Sequence, residues 1–205
     1  MYNFFKQETK IEVFPVLYVR HLVFFPYTSA PLIISLSSFL RKKIKADEKL
    51  VLLSAKTQDN KPKSLIGTLC SLEKVRFLPQ EKVKLYVRGL QRAYIEKSEG
   101  QLISIRKIHE KSLAQKELLS LQRVIFSDLE ILNKLGKILS PELLVSGNKE
   151  FSHLEGLLIH SFNFTVEEQN FLLSTENPVE RFQRIHAKIK MEIFRRKESR
   201  KTPLV

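Results

Sequence analysis

Histidines at 153 and 160, a Gly-Lys pair at 136–137 and a lone cysteine at 70 are the side chains of this 205-residue sequence whose types and spacing come nearest to chemistry. His153 and His160, seven positions apart on one predicted helix, share a face, as helical imidazoles converging on a metal must. No third ligand stands at useful spacing. A phosphate-cradling loop needs Gly-x4-Gly-Lys-Ser/Thr, so that backbone amides meet the phosphates and a hydroxyl meets the metal. Around Gly136-Lys137 the next residue is Ile138, and Ile131 stands where the first glycine belongs. Neither a Gly-x-Ser-x-Gly elbow nor a His-Glu-x-x-His helix occurs. Cys70 lies in "IGTLCSL", an apolar setting that predicts a buried, unreactive thiol. A single cysteine makes no intramolecular disulfide, which fits a reducing, cytoplasmic compartment. These residues predict no catalytic group, no metal, no cofactor and no enzyme.

The elements that must position the side chains change period near residue 109. Before it, "IEVFPVL" (11–17), "PLIIS" (31–35), "KLVLLSAK" (49–56), "SLIGTLCSLEKVRFL" (64–78), "KVKLYVRGLQRAYIEK" (82–97) and "QLISIRKI" (101–108) read as strands. Ser37 or Ser38 is expected to cap a short helix through "FLRKKIKAD", and "TQDNKPKS" reads as a loop. Gly67 is expected at a bulge or a close backbone approach, and Gly89 to break the alternation of its strand. Short strands at this spacing predict a small closed or half-closed barrel.

After residue 109, Leu118, Leu121, Ile125, Leu129, Leu132, Leu135 and Leu139 form one stripe. It predicts a helix over 112–139, about 42 Å long at 1.5 Å per residue. Ser140-Pro141 reads as the start of another short helix. "SHLE" (152–155) and "TVEE" (165–168) both fit a capping box. Asn177-Pro178 opens a last helix with Phe182, Ile185, Ile189 and Ile193 on one side and mostly basic residues elsewhere. The fold class is α+β: a β-rich part over 1–108 and a helical part with one long helix and a basic tail over 109–205.

Lys plus Arg exceed Asp plus Glu by 13, which points to a polyanion, an acidic partner or simply a solvated basic surface. The candidate cations are Lys82, Lys84, Arg88 and Arg92 on one strand, and Arg195, Arg196, Lys197, Arg200 and Lys201 in the tail. No RNP-type aromatic motif accompanies them. Leu22–Leu40 is uncharged for long enough to span a bilayer, and Arg41, Lys42, Lys43 and Lys45 follow it. Pro26 and Pro31 fall inside, however, and would leave amides unsatisfied in lipid. The reading is a soluble protein with no membrane partner, and the first twelve residues show no secretory signal.

"FPVLYVRHLVFFPYTSAPLII" resembles the start of the N-terminal, substrate-binding domain of Lon proteases. In that family a Pro-Leu-x-x-Leu-Arg strand leads to a Phe-Pro turn and a later Pro-Leu; here these are Pro15, Val16, Arg20, Phe25-Pro26 and Pro31-Leu32. The family usually has an acid or amide after the Arg, and this chain has His21. Gly67 matches the family's Gly-x-x-Ala/Cys strand, and Gly89 with Arg92 its Gly-x-x-Arg element. Gln169, Leu172, Leu173, Val179, Glu180 and Arg181 match its helical pattern. The resemblance implies a PUA-like β pseudo-barrel followed by an α-helical bundle, and a polypeptide-binding role. Full-length Lon continues into ATPase and peptidase modules, so a sequence ending at Val205 is expected to act as the recognition domain alone.

Function is accordingly expected to be non-catalytic binding of unfolded or apolar polypeptide segments, as an adaptor or modulator of a separate Lon-type protease. Tyr27, Phe77, Leu78, Arg92 and Tyr94 are the candidate contacts. Two alternatives stand beside it. One is nucleic-acid binding through Lys84, Arg88 and the tail cations; the other is docking on, or inhibition of, full-length Lon.

Overall fold

The computed structural model describes residues 11–20, 22–55, 65–108, 115–140, 143 and 151–201. His21, His109, the whole loop "TQDNKPKS" (57–64), Pro141, and the first three residues of the predicted 112–139 helix lie outside them. The chain divides into two compact units, Met1–His109 and Glu110–Val205.

The first unit contains β1 (Glu12–Arg20), β2 (Ser29–Ser35), α1 (Ser38–Lys43), β3 (Lys49–Ala55), β4 (Ile66–Phe77), β5 (Lys82–Glu99) and β6 (Leu102–Lys107). They form one six-stranded sheet in the order β2-β5-β4-β3-β1-β6, and β6 also pairs with β5. That additional pairing ties the last strand back to the longest one, although the result is not a clean barrel. Only β1 and β3 run parallel, because the turn, β2 and α1 intervene between them and supply the crossover.

Two core clusters account for the strand sequences. Leu50 and Leu52 of β3 join the one that holds Cys70, Leu72, Val83, Leu85 and Val87. Val51 and Leu53 join the other, with Val16, Leu69, Ala93, Ile103 and Ile105. A strand buried on both faces needs a continuous apolar run, and "LVLL" is one. β1 extends to Arg20, three residues past the sequence expectation, because its register with β3 continues from Val16 opposite Val51 to Arg20 opposite Ala55.

Two glycines mark the irregular points of the sheet. β5 is continuous through Gly89, but Leu69 faces Gln91 and Cys70 faces Gly89, so Leu90 is an extra residue on β5 and the alternation breaks just after the glycine. The second bulge is at Glu73 on β4, between Leu72 and Lys74. Gly67 marks a close approach, since an added Cβ would meet the Leu53 side chain and the Leu52 carbonyl. The stretch 22–40 is a turn, a strand and a helix start, not one continuous helix. Among the described residues no helix is long and apolar enough to cross a membrane. Ser37 caps α1, its hydroxyl accepting from the Leu40 amide.

The second unit contains α2 (Gln115–Lys134), α3 (Phe151–Ser161), α4 (Val166–Ser174) and α5 (Pro178–Lys201). α2 stops five residues before its apolar stripe does. Gly136 takes a φ of 76°, its amide donates to Asn133 O, and Lys137 N donates to Leu132 O. These paired bonds are a Schellman stop, which a glycine reaches without a Cβ penalty. The Gly-Lys pair that resembles a fragment of a phosphate loop is thus a helix terminus.

α2 packs on α5, whose Phe182, Ile185, Ile189 and Ile193 are buried as the stripe predicts. His186 Nε2 and Asp128 Oδ2, 2.7 Å apart, join the same two helices. Thr165 and Glu168 form the capping box that "TVEE" predicts. At "SHLE" the helix begins earlier than a cap at Ser152 requires. Ser152 lies inside α3, which already includes Phe151, and Glu155 is turned inward to a buried ion pair with Arg181.

Candidate functional site

The polypeptide contacts named from the sequence do not converge. Phe77 (56% exposed) and Leu78 sit at the β4–β5 turn, with Phe77 opposite Val83. Tyr94 lies eleven residues further along β5, about 36 Å of strand away, half-buried beneath Arg106. Tyr27 (40% exposed) occupies the turn between β1 and β2, where its amide donates to Gly89 O. Arg92 is only 3% exposed, on the row where β5 meets Thr68 of β4, so its side chain is withdrawn from the surface.

A more coherent apolar site lies on the second unit. Two grooves, of about 670 and 420 Å³, share Lys188 and Met191 on α5. Phe162 and Phe194 line the first, Phe164 and Phe171 the second. Met191 and Phe194 are 67% and 68% exposed. They stand on α5 outside its buried stripe, on faces the sequence reading assigned to basic residues. Three of the four lining rings carry a cation: Lys137 Nζ is 4.6 Å from the Phe162 centroid, Arg184 Cζ 3.8 Å from that of Phe171, and Lys188 Nζ 5.3 Å from that of Phe164. The long stems of these cations cover apolar surface while their heads stay hydrated.

Charge at the groove is arranged around two carboxylates. Lys188 donates to both oxygens of Glu168 and holds its carboxyl below the usual range. Arg195, and then Arg196, bind Glu192 and lower its pKa from an ordinary 4.5 to about 2. Burial first, then the fields of Arg196 and Arg195, pushes the Lys137 ammonium below its ordinary value. A carboxylate with a depressed folded-state pKa stabilises the fold above its unfolded pKa and loses that contribution as pH falls. The contribution of Glu192 is therefore complete above pH 4.5 and disappears toward pH 2. Following its side-chain carboxyl by NMR is expected to give a midpoint near 2, moving up toward the ordinary range in Arg195→Gln/Arg196→Gln. A midpoint near 4.5 in the parent chain would show that the arginines do not grip it.

The two sets of candidate cations have different surroundings. In the tail, Arg195 and Arg196 are held by Glu192, and Arg196 and Arg200 reach Leu135 O and Lys134 O at the end of α2. Those carbonyls carry the negative end of the helix dipole, so these arginines close α2. Lys197 is exposed, and the Lys201 side chain lies outside the described residues. Lys84 and Arg88 instead stand on the outer face of the sheet, opposite the buried Val83, Leu85 and Val87.

Cys70 is buried, and burial pushes its thiol pKa up, away from the thiolate a nucleophile needs. His153 is half-buried and His160 exposed on α3. Among the described residues no three His, Cys, Asp or Glu side chains are grouped to hold a metal ion.

The fold is that of the N-terminal domains of Lon proteases. It matches the N-terminal domain of Mycobacterium avium complex Lon protease with a TM-score of 0.61 and 16% identity, over 87% of this chain and 98% of that one. The Lon N-terminal domain protein from Xanthomonas campestris matches with a TM-score of 0.55 and 13% identity, over 86% and 98%. In sequence the chain is 27% identical to the Lon protease of Geobacter metallireducens over 203 residues, and 30% identical to that of Azospirillum brasilense over 195. These alignments cover 91% and 88% of this chain but 25% and 24% of the relatives, so it spans about a quarter of their length. The family model of the ATP-dependent protease La (LON) substrate-binding domain matches residues 13–190. The chain belongs to that family.

Proposed function

We propose that this protein binds unfolded or apolar polypeptide segments, and that the grooves around Met191 and Phe194 hold them. The observation that carries the reading is the exposure of Met191, Phe194 and Phe171 around connected concavities in a member of a substrate-binding family. Apolar surface left in water is a source of binding energy, about 25 cal/mol for each Å² a partner covers. Unfolded segments expose such side chains and folded proteins largely bury them, so the grooves select by folding state. The role that goes with this binding is delivery of segments to a Lon-type protease, or modulation of one. Its architectural counterpart is a PUA-like pseudo-barrel followed by a helical bundle.

Titration calorimetry with a reduced, alkylated model protein tests the reading. The parent chain is expected to bind it and to ignore the same protein in its native, disulfide-bonded state. Met191→Ser/Phe194→Ser is expected to weaken binding at least about tenfold, as loss of two central apolar anchors does. Both side chains are exposed, so the melting temperature should hold. Absence of binding by the parent, or undiminished binding by the folded double variant, overturns the proposal.

A further inference from the structure

The outer face of β2, β5 and β4 carries a feature separate from the helical grooves. Strand register sets Ser29, Arg88 and Ser71 in one cross-strand row, Pro31, Tyr86 and Lys74 in the next, and Ile33, Lys84 and Arg76 in the third. Pro31, Ile33, Lys74, Arg76 and Arg88 are exposed, and Lys84 and Tyr86 half-buried. Arg76 directly opposes Lys84, and like charges so placed weaken a sheet. Lys74, Arg76, Lys82 and Arg88 make no ion pair among the described residues. Elsewhere in the same unit Lys97, Arg106 and Lys107 each hold a carboxylate. Tyr86 registers the imbalance: a hydrogen bond with Lys84, then the fields of Lys84, Arg76 and Lys74, lower its hydroxyl pKa.

The face therefore pairs a cation group with an apolar strip made by Tyr86, Pro31 and Ile33. A complementary ligand is anionic along its length and presents flat apolar faces at intervals. Single-stranded nucleic acid has both. An acidic peptide has the charge without the stacking faces, and a duplex hides its base faces in the stack. We propose that this face binds single-stranded nucleic acid, with phosphates on Lys74, Arg76, Lys84 and Arg88 and a base stacked on Tyr86. The inference does not rest on the polypeptide reading, since no residue is shared.

Fluorescence anisotropy with a labelled 20-nucleotide oligouridine and the full chain tests it. About four phosphate contacts on a single strand give a log–log salt slope near −3, or about 50-fold weaker binding at 200 mM than at 50 mM salt. Tyr86→Ala is expected to cost about tenfold and Tyr86→Phe to retain binding, because the ring and not the hydroxyl stacks. Arg76→Glu/Lys84→Glu should weaken binding at least about tenfold, whereas the equal charge change in Lys116→Glu/Arg123→Glu, at exposed positions of α2, changes it less than about twofold. Circular dichroism and melting confirm that each variant is folded. The proposal is overturned if the parent does not bind at low salt, if Tyr86→Ala binds like the parent, if both double variants lose equally, or if oligoglutamate of equal length competes as well as unlabelled oligouridine.

Discussion

Arg181→Met is expected to destabilise the helical unit by about 3–5 kcal/mol, the cost of leaving a buried charge without its partner. Arg181 has no exposed surface. Its Nε donates to Glu155 Oε1 at 2.8 Å, and its Nη1 donates to Thr175 O at 3.0 Å and Glu176 O at 2.9 Å. One planar guanidinium thus ties α3, the α4–α5 connection and α5 together. Methionine fills a similar volume but supplies no donor, so the Glu155 carboxylate and two carbonyls lose their partner at once.

Comparison of variants separates charge from shape. Arg181→Lys should lie between parent and methionine, since a single ammonium cannot match a fork aimed at three oxygens. Adding Glu155→Leu to Arg181→Met should restore most of the loss, because the orphaned carboxylate goes with it. The remainder is the two carbonyls, each worth about 1 kcal/mol. Urea unfolding followed by circular dichroism measures all four. A loss below about 1 kcal/mol for Arg181→Met, or a double variant less stable than the single one, contradicts the account.

Where local chemistry decides a feature, the sequence carries it plainly. Val83, Leu85 and Val87 alternate with Lys84, Tyr86 and Arg88 because β5 has one wet face. Thr165 and Glu168 are three positions apart and cap each other. Leu139 shows where such reasoning fails. It is buried and sits on the stripe of α2, yet the helix has already ended at the left-handed Gly136. Burial of a leucine does not require a helix. The pair Glu155–Arg181 is hidden for another reason: its partners are 26 positions apart, and "SHLE" reads just as well as a local cap. The groove was illegible because Met191 and Phe194 look, as residue types, like core. Only their position off the stripe of Ile185, Ile189 and Ile193 distinguishes them. The sheet face is an intermediate case. Lys84 and Arg88 are visible as cations of β5, but Lys74 and Arg76 join them through a register that contains a bulge.

Gly89→Ala is expected to be nearly as damaging as the loss of Arg181, for a reason unrelated to charge. The turn Phe25–Thr28 lies directly on β5: Gly89 N donates to Thr28 O at 2.8 Å and Gly89 O accepts from Tyr27 N at 2.9 Å. An added Cβ would run into the Phe25 carbonyl oxygen, with Phe25 C and Pro26 Cα at 3.1 and 3.2 Å. These are backbone atoms, fixed further by Thr28 Oγ1 donating to Phe25 O and Thr68 Oγ1 donating to Phe24 O, so no side chain can swing aside. The turn must lift. Overpacking of about 1–3 kcal/mol then adds to two hydrogen bonds of about 1 kcal/mol each, for a total of about 3–5 kcal/mol. Gly100→Ala provides the contrast, because Gly100 has a φ of 61° but nothing within 4 Å of an added Cβ. There only the left-handed backbone resists, at about 1 kcal/mol. Denaturant unfolding ranks the two variants, and amide exchange reads the cause: Tyr27 and Gly89 N–H should lose protection in Gly89→Ala and keep it in Gly100→Ala. Equal stability losses, or Gly89→Ala with both amides still protected, would mean that the Phe-Pro turn does not depend on the bare backbone beneath it.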